Sequence, residues 1–217
     1  MIDKIATPYR YTKEEQRLIE SKYSKGDDWR KKCFDSIKKN IRTHLRNKQD
    51  NVCCYCRRSF EFGPLTVDIE HIVHKDEHPG FGFFPYNLAL SCRRCNSIKG
   101  TKEVLINSKQ KTYPKASDAF QIVHPYYDNY SNHITKDGVV YVSKSDKGSW
   151  TIKACGLSSL VFAEQEMKAT ITCNPEAGMN IIDECLHKLE FAECLPEKEQ
   201  QIVIDKIEKV LDHLKKR

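Results

Sequence analysis

Long apolar runs are missing from this sequence. The longest extend over only a few residues, against the roughly 20 that a membrane-crossing helix needs, so a membrane span is excluded. The opening residues, MIDKIATPYRYTKEEQ, hold no apolar core of the kind that directs export. A cytoplasmic location is the default expectation. Internal repeats, low-complexity tracts and long linkers are also missing, which removes solenoid arrays from consideration. In an exported chain, disulfides would be the natural use for cysteine. Without that setting, the ten cysteines among 217 residues need another explanation.

Acidic residues are scarce in the first half. Residues 1–50 hold 14 Lys and Arg against 8 Asp and Glu, residues 51–115 hold 10 against 6, and residues 116–217 reverse the balance with 12 against 16. A basic face attracts a polyanion through counterion release and long-range steering, although a solvated helical surface carries the same imbalance. Three regions are expected: a basic helical stretch over 1–50, a dense core over 51–115, and an acidic module over 116–217.

The flanking elements follow from local chemistry. Thr12 and Glu15 form a capping-box pattern. A break at Lys25-Gly26-Asp27-Asp28 precedes a second helix from about Trp29, which puts Trp29, Cys33, Phe34, Ile37, Ile41 and Leu45 at helical spacing. Residues 116–133 read as an aromatic, polar loop. Residues 138–154 read as a hairpin: Val140 to Ser143 alternate, Ser145-Asp146-Lys147-Gly148 turns, and Trp150-Thr151-Ile152 returns. Residues 158–170, 176–193 and 197–216 read as amphipathic helices, with Pro175 and Pro196 marking the last two starts.

The cysteines in the middle are spaced for a metal. Cys53 and Cys56 are separated by two residues, as are Cys92 and Cys95. Two such knuckles supply four thiolates to one tetrahedral zinc ion and leave no open position, so the role is structural. A redox pair would need a thioredoxin-like setting that is absent. Cys54 is the odd neighbour, and most of the remaining cysteines sit among apolar residues and read as small buried side chains.

Between the knuckles runs Val67-Asp68-Ile69-Glu70-His71-Ile72, a short strand ending on a Glu-His pair. Then come a Gly/Pro/Phe-rich loop, Asn87-Leu88, and Cys92-x-x-Cys95-Asn96-x-x-Lys99. These elements, interleaved with the zinc knuckles, resemble the HNH endonuclease family in its zinc-containing form. Asn96 stands where the last His of the motif is more usual, so the chain is an HNN variant with an expected lower metal affinity. The resemblance implies an α+β fold: a ββα-metal core stapled by a four-cysteine zinc site, with N-terminal helices and a mainly helical C-terminal module containing a β-hairpin. It also implies metal-dependent phosphodiester hydrolysis. His71 would be the general base. Glu70 and Asn96 would hold a catalytic Mg²⁺ or Mn²⁺, and Asn87 would orient the His71 loop. Asp68 competes with Glu70, since alternation puts both on one strand face. Phosphate contacts are expected from Lys99, Arg57, Arg58, Arg93 and Arg94. His74 and His78 are open between ligand, substrate contact and plain loop residue.

Beyond the core, Trp29-x-x-x-Cys33-Phe34 and His124-Pro125-x-Tyr127-Asp128-x-Tyr130 resemble the HNH subunits of bacterial anti-phage systems of the Septu type, including retron-associated ones. That likeness implies an ATPase partner that gates cleavage and is bound by the module over 116–217, with DNA favoured as substrate and RNA or tRNA open. Two rival readings stand beside it: a non-catalytic zinc module that binds nucleic acid, and an interaction subunit whose zinc site is scaffold.

Overall fold

The computed structural model describes residues 2–60, 66–137 and 140–158. The helices expected over 158–170, 176–193 and 197–216 lie outside them, apart from Ser158 itself, as do Cys173, Cys185 and Cys194. No helix among the described residues is long and apolar enough to cross a membrane.

Helix α1 (Lys13–Lys22) starts on the capping box, with Glu15 N–H donating to Thr12 Oγ1 and Thr12 N–H donating to the Glu15 carboxylate. The expected break follows as a tight turn over Gly26–Arg30. Asp28 fastens that turn by accepting from the backbone N–H groups of Ser24 and Lys25 and pairing with Lys31 at 2.9 Å. Helix α2 (Asp35–Lys48) therefore begins six residues after Trp29, which sits in the turn instead. Phe34 at its start, with Ile37, Ile41 and Leu45, is fully or almost fully buried, whereas Cys33 is exposed and not part of the stripe.

The centre is a two-stranded antiparallel ribbon and a helix. Strand β1 (Val67–His71) pairs with β2 (Leu88–Cys92), matching His71 with Leu88 and Val67 with Cys92, and α3 (Arg93–Lys99) follows directly. Gln49, just past α2, is buried and behaves as a piece of a third strand. Its side chain accepts from Leu90 N–H at 2.7 Å and donates to Leu90 O at 3.0 Å.

Strand β3 (Ile134–Asp137) pairs with β4 (Val140–Ser143). The expected hairpin is thus shifted one strand earlier, and the expected return strand is a helix, α4 (Asp146–Ala154). The cause is local. Ser145 caps the helix by accepting from Gly148 N–H at 3.1 Å, and Thr151, Ile152 and Ala154 then fall on the buried side. Capping chemistry wins over the β-branched residues.

The module boundary expected at residue 116 falls inside one packed unit, which runs to Ser158. Three tyrosines from the later segment join it to the centre through backbone carbonyls. Tyr126 donates to Leu88 O at 2.6 Å, Tyr130 to Tyr55 O at 2.8 Å and Tyr141 to Cys56 O at 2.6 Å. The aromatic stretch beginning at His124 is therefore a clamp. His124 itself is buried and stacked on Tyr127 at 4.2 Å. Its Nδ1 accepts from Tyr126 N–H, which leaves Nε2 to donate to Tyr113 Oη at 2.9 Å.

Burial pushes the pKa of His124 down from 6.5 to about 3. The unfolded chain therefore binds a proton that the folded one excludes, and stability falls as pH drops below about 6.5. By pH 5 the loss from this residue is on the order of 2 kcal/mol. Urea midpoints at pH 7 and pH 5 will show it, and His124→Gln is expected to reduce that pH dependence.

Candidate functional site

The four knuckle sulfurs lie within 4.8 Å of one another and all four cysteines are buried. Cys56 Sγ and Cys92 Sγ are 3.8 Å apart, the separation of about 3.8 Å that two sulfurs have around a tetrahedral zinc at 2.3 Å. The first knuckle closes because Arg57 adopts a left-handed φ of 57° and brings its N–H to Cys53 O at 3.0 Å. Cys53 Sγ accepts from Cys92 N–H at 3.3 Å. Cys53, Cys56, Cys92 and Cys95 have the donors and the shape to hold a zinc ion with no place for water. Cys54 is buried beside them but is not one of the four.

His71 ends β1. Its Nε2 lies 3.0 Å from Gly82 O. A carbonyl only accepts, so Nε2 carries the proton and Nδ1 is the basic nitrogen. Trp29 packs edge-on against the imidazole at 4.4 Å, backed by Phe83. Burial, with the charge of Lys75, pushes the His71 pKa down to about 3, so the ring is neutral near pH 7.

Asn87 lies inside, fully buried. Its carbonyl accepts from Val73 N–H at 2.7 Å, and its amide donates to Val73 O at 3.0 Å and Phe81 O at 2.9 Å. It ties both ends of the loop that supplies Gly82 to the strand that supplies His71.

Gly82 is fixed by a close approach: a Cβ there would lie 1.8 Å from Tyr23 Oη. Gly82→Ala is therefore expected to shift the loop and its carbonyl, releasing His71. A fall of at least tenfold in kcat is expected, with melting lowered by about 1–3 kcal/mol as for other overpacked sites. Unchanged kcat would show that the carbonyl does not hold the ring.

Glu70 and Asp68 share the face that meets α3, and their surroundings distinguish them. Glu70 is 1% exposed, and both of its partners converge on Oε1: Lys99 Nζ at 2.7 Å and Tyr55 Oη at 3.1 Å. Among the described residues Oε2 has no partner. Burial raises the Glu70 pKa, and Lys99 opposes that shift. Asp68 has both oxygens engaged, Oδ1 by Arg93 at 2.9 Å and Oδ2 by Asn96 Nδ2 at 3.1 Å. Because a carboxylate only accepts, Asn96 must present its NH₂ to Asp68, which turns its carbonyl oxygen away. Glu70 Oε2 and Asn96 Oδ1 are thus the oxygens that these bonds leave unengaged, each side chain being oriented by a neighbour.

Several residues expected at a phosphate backbone are elsewhere. Lys99 is 1% exposed and donates to His71 O at 3.1 Å as well as to Glu70, so it braces the strand end from inside. Arg57 is buried, donating to Asp3 O at 2.8 Å with its guanidinium 4.2 Å over Tyr130. Arg94 is half-buried and donates to Gly156 O at 3.1 Å. Arg93 is exposed on its Asp68 pair, and Arg58 is half-buried. His74 is half-buried, with Nε2 3.7 Å from Asp76, and His78 stacks on Phe81. Tyr55, Trp29 and Gly82 belong to the site, and the sequence alone does not single them out as parts of it. A Tyr inside a knuckle and a Trp before a helix signal only burial until the fold brings them to Glu70 and His71.

A ribbon, a following helix, and a four-cysteine cluster at its base enclose one His, one Glu and two Asn. Residues 53–102 match the model of the HNH endonuclease family. The strand–strand–helix order of this HNH segment is Val67–His71, Leu88–Cys92 and Arg93–Lys99. Over 154 residues the chain is 28% identical to the Septu protein PtuB of Bacillus thuringiensis, covering 71% of this chain and 52% of that protein. The chain spans about half the length of that relative.

Proposed function

We propose that the chain is a metal-dependent nuclease that hydrolyses phosphodiester bonds of nucleic acid, DNA in the first instance, through residues of its HNH segment. The observation that carries this reading is the placement of His71 at the end of β1: Nε2 is bonded to Gly82 O, which leaves Nδ1 as the ring nitrogen without a proton. Nδ1 takes the proton of the attacking water. Glu70 Oε2 and Asn96 Oδ1 would hold a Mg²⁺ or Mn²⁺, which supplies charge stabilisation at the scissile phosphate and the leaving oxygen. Asp68 positions Asn96, Lys99 and Tyr55 position Glu70, and Asn87 positions the loop behind His71. A pure binding module needs none of this orientation. Of the five basic residues expected at a phosphate backbone, Arg93 is the exposed one.

The likeness to a Septu protein favours a role as the nuclease of a bacterial anti-phage system. An ATPase partner gating cleavage is part of this proposal, with the acidic region beyond the HNH segment as its docking part. A cytoplasmic location fits that role.

The test is cleavage of plasmid DNA and of structured RNA by the purified chain in Mg²⁺, Mn²⁺ or EDTA, beside His71→Ala. Cutting that requires both the added ion and the imidazole is expected, in the presence of the partner if the chain alone is silent. Equal cutting by both proteins would sink the role given to His71.

A further inference from the structure

A groove of about 570 Å³ lies between the extended segment before α1 and the loop before β2. Tyr9, Arg10, Tyr11, Phe84 and Tyr86 line it, and no carboxylate does. Glu15, which Tyr9 touches, is already engaged by Thr12 N–H, Tyr9 Oη and Asn40. The rings are supported from behind. Tyr86 is stacked on Tyr127 at 5.7 Å, and Phe84 on Tyr113 at 4.6 Å. Tyr86 is nevertheless 37% exposed. A ring fixed on one side and open on the other is a platform ready to stack without further loss of rotamer freedom.

One further feature narrows the occupant. Phe84 and Tyr86 lie on the same loop as Gly82, whose carbonyl holds His71, and Asn87, so one wall of the groove is carried by the loop of the candidate site.

We infer that this groove seats unpaired bases of the strand being cut, with Tyr86 stacking on a base and Arg10 meeting the backbone phosphate. The inference rests on the nuclease reading and gives it a substrate class, single-stranded or locally opened nucleic acid. A duplex hides its base faces in its own stack and cannot use such platforms.

The experiment measures binding, with cleavage removed. Full-length His71→Ala, with no added divalent ion, is titrated into a fluorescent 20-nucleotide single strand of DNA, the same sequence in RNA, and the DNA duplex. At least tenfold tighter binding of single strand than duplex is expected. In this background Tyr86→Ala and Arg10→Ala should each weaken the single strand about tenfold, Tyr86→Phe should restore it, and duplex affinity should not move. The tighter of the DNA and RNA arms identifies the sugar. Equal affinity for duplex and single strand, or no effect of Tyr86→Ala, overturns the inference. The latter is also what a groove built for a proline-rich peptide would give. Tyr86-dependent strand binding by a chain that never cuts would instead leave the groove standing and overturn the nuclease reading.

Discussion

His71→Ala is expected to lower kcat by about 10²- to 10⁴-fold, the usual contribution of a positioned base, while the protein stays folded. The two halves of that outcome have separate causes. The rate falls because Nδ1 is the basic nitrogen the geometry leaves at the end of β1; Nε2 is bonded to Gly82 O. The fold survives because the ribbon register, the Asn87 ties and the cysteine cluster do not pass through the imidazole. The variant does leave Gly82 O without its donor and a gap beside Trp29, a loss of about 1–3 kcal/mol. Rate and melting should therefore be measured together. A variant that loses activity only in proportion to its unfolded fraction would show that His71 is structural.

Cys92→Ser is expected to have the larger effect on stability. Cys92 is one of the four sulfurs of the cluster, the last residue of β2, and the residue from which α3 starts. Zinc in such sites contributes about 10–16 kcal/mol at neutral pH, as much as the whole net stability of a typical domain. The segment it holds is built on two five-residue strands and one seven-residue helix. The variant should lose its metal and its cooperative thermal transition, and a strong chelator should do the same to the native chain. Metal analysis and calorimetry decide it: a zinc-free variant that melts like wild type would mean that the cluster is not a structural staple.

Both predictions are partly legible in the linear sequence. Paired Cys-x-x-Cys spacing determines which sulfurs meet, because two intervening residues limit how far two thiolates can separate. Strand alternation likewise puts Asp68 and Glu70 on a common face. What alternation cannot state is which carboxylate has a free oxygen, since that depends on Arg93, Asn96, Lys99 and Tyr55 arriving from other elements. Lys99 misleads for a general reason. Lysine is almost never fully buried, so one helical turn after Asn96 it reads as a surface cation unless the buried Glu70 beneath it is known. Arg57 misleads likewise, because its left-handed backbone turns its side chain under the N-terminal segment. The shifted hairpin has a local cause. Trp150-Thr151-Ile152 favours strand by composition, but one serine three residues before Gly148 starts a helix.

The tyrosine clamp has a consequence for the timing of synthesis. Tyr141 reaches back 85 residues to the carbonyl of Cys56. At roughly 5–20 residues per second on the ribosome, about 4 to 17 s separate the emergence of the first knuckle from that of the hydroxyl that closes over it. During that interval the nascent chain carries its knuckles and its His-bearing strand without the segment that packs them. On the proposed nuclease reading, the first knuckle gains this packing only once Tyr141 has been made.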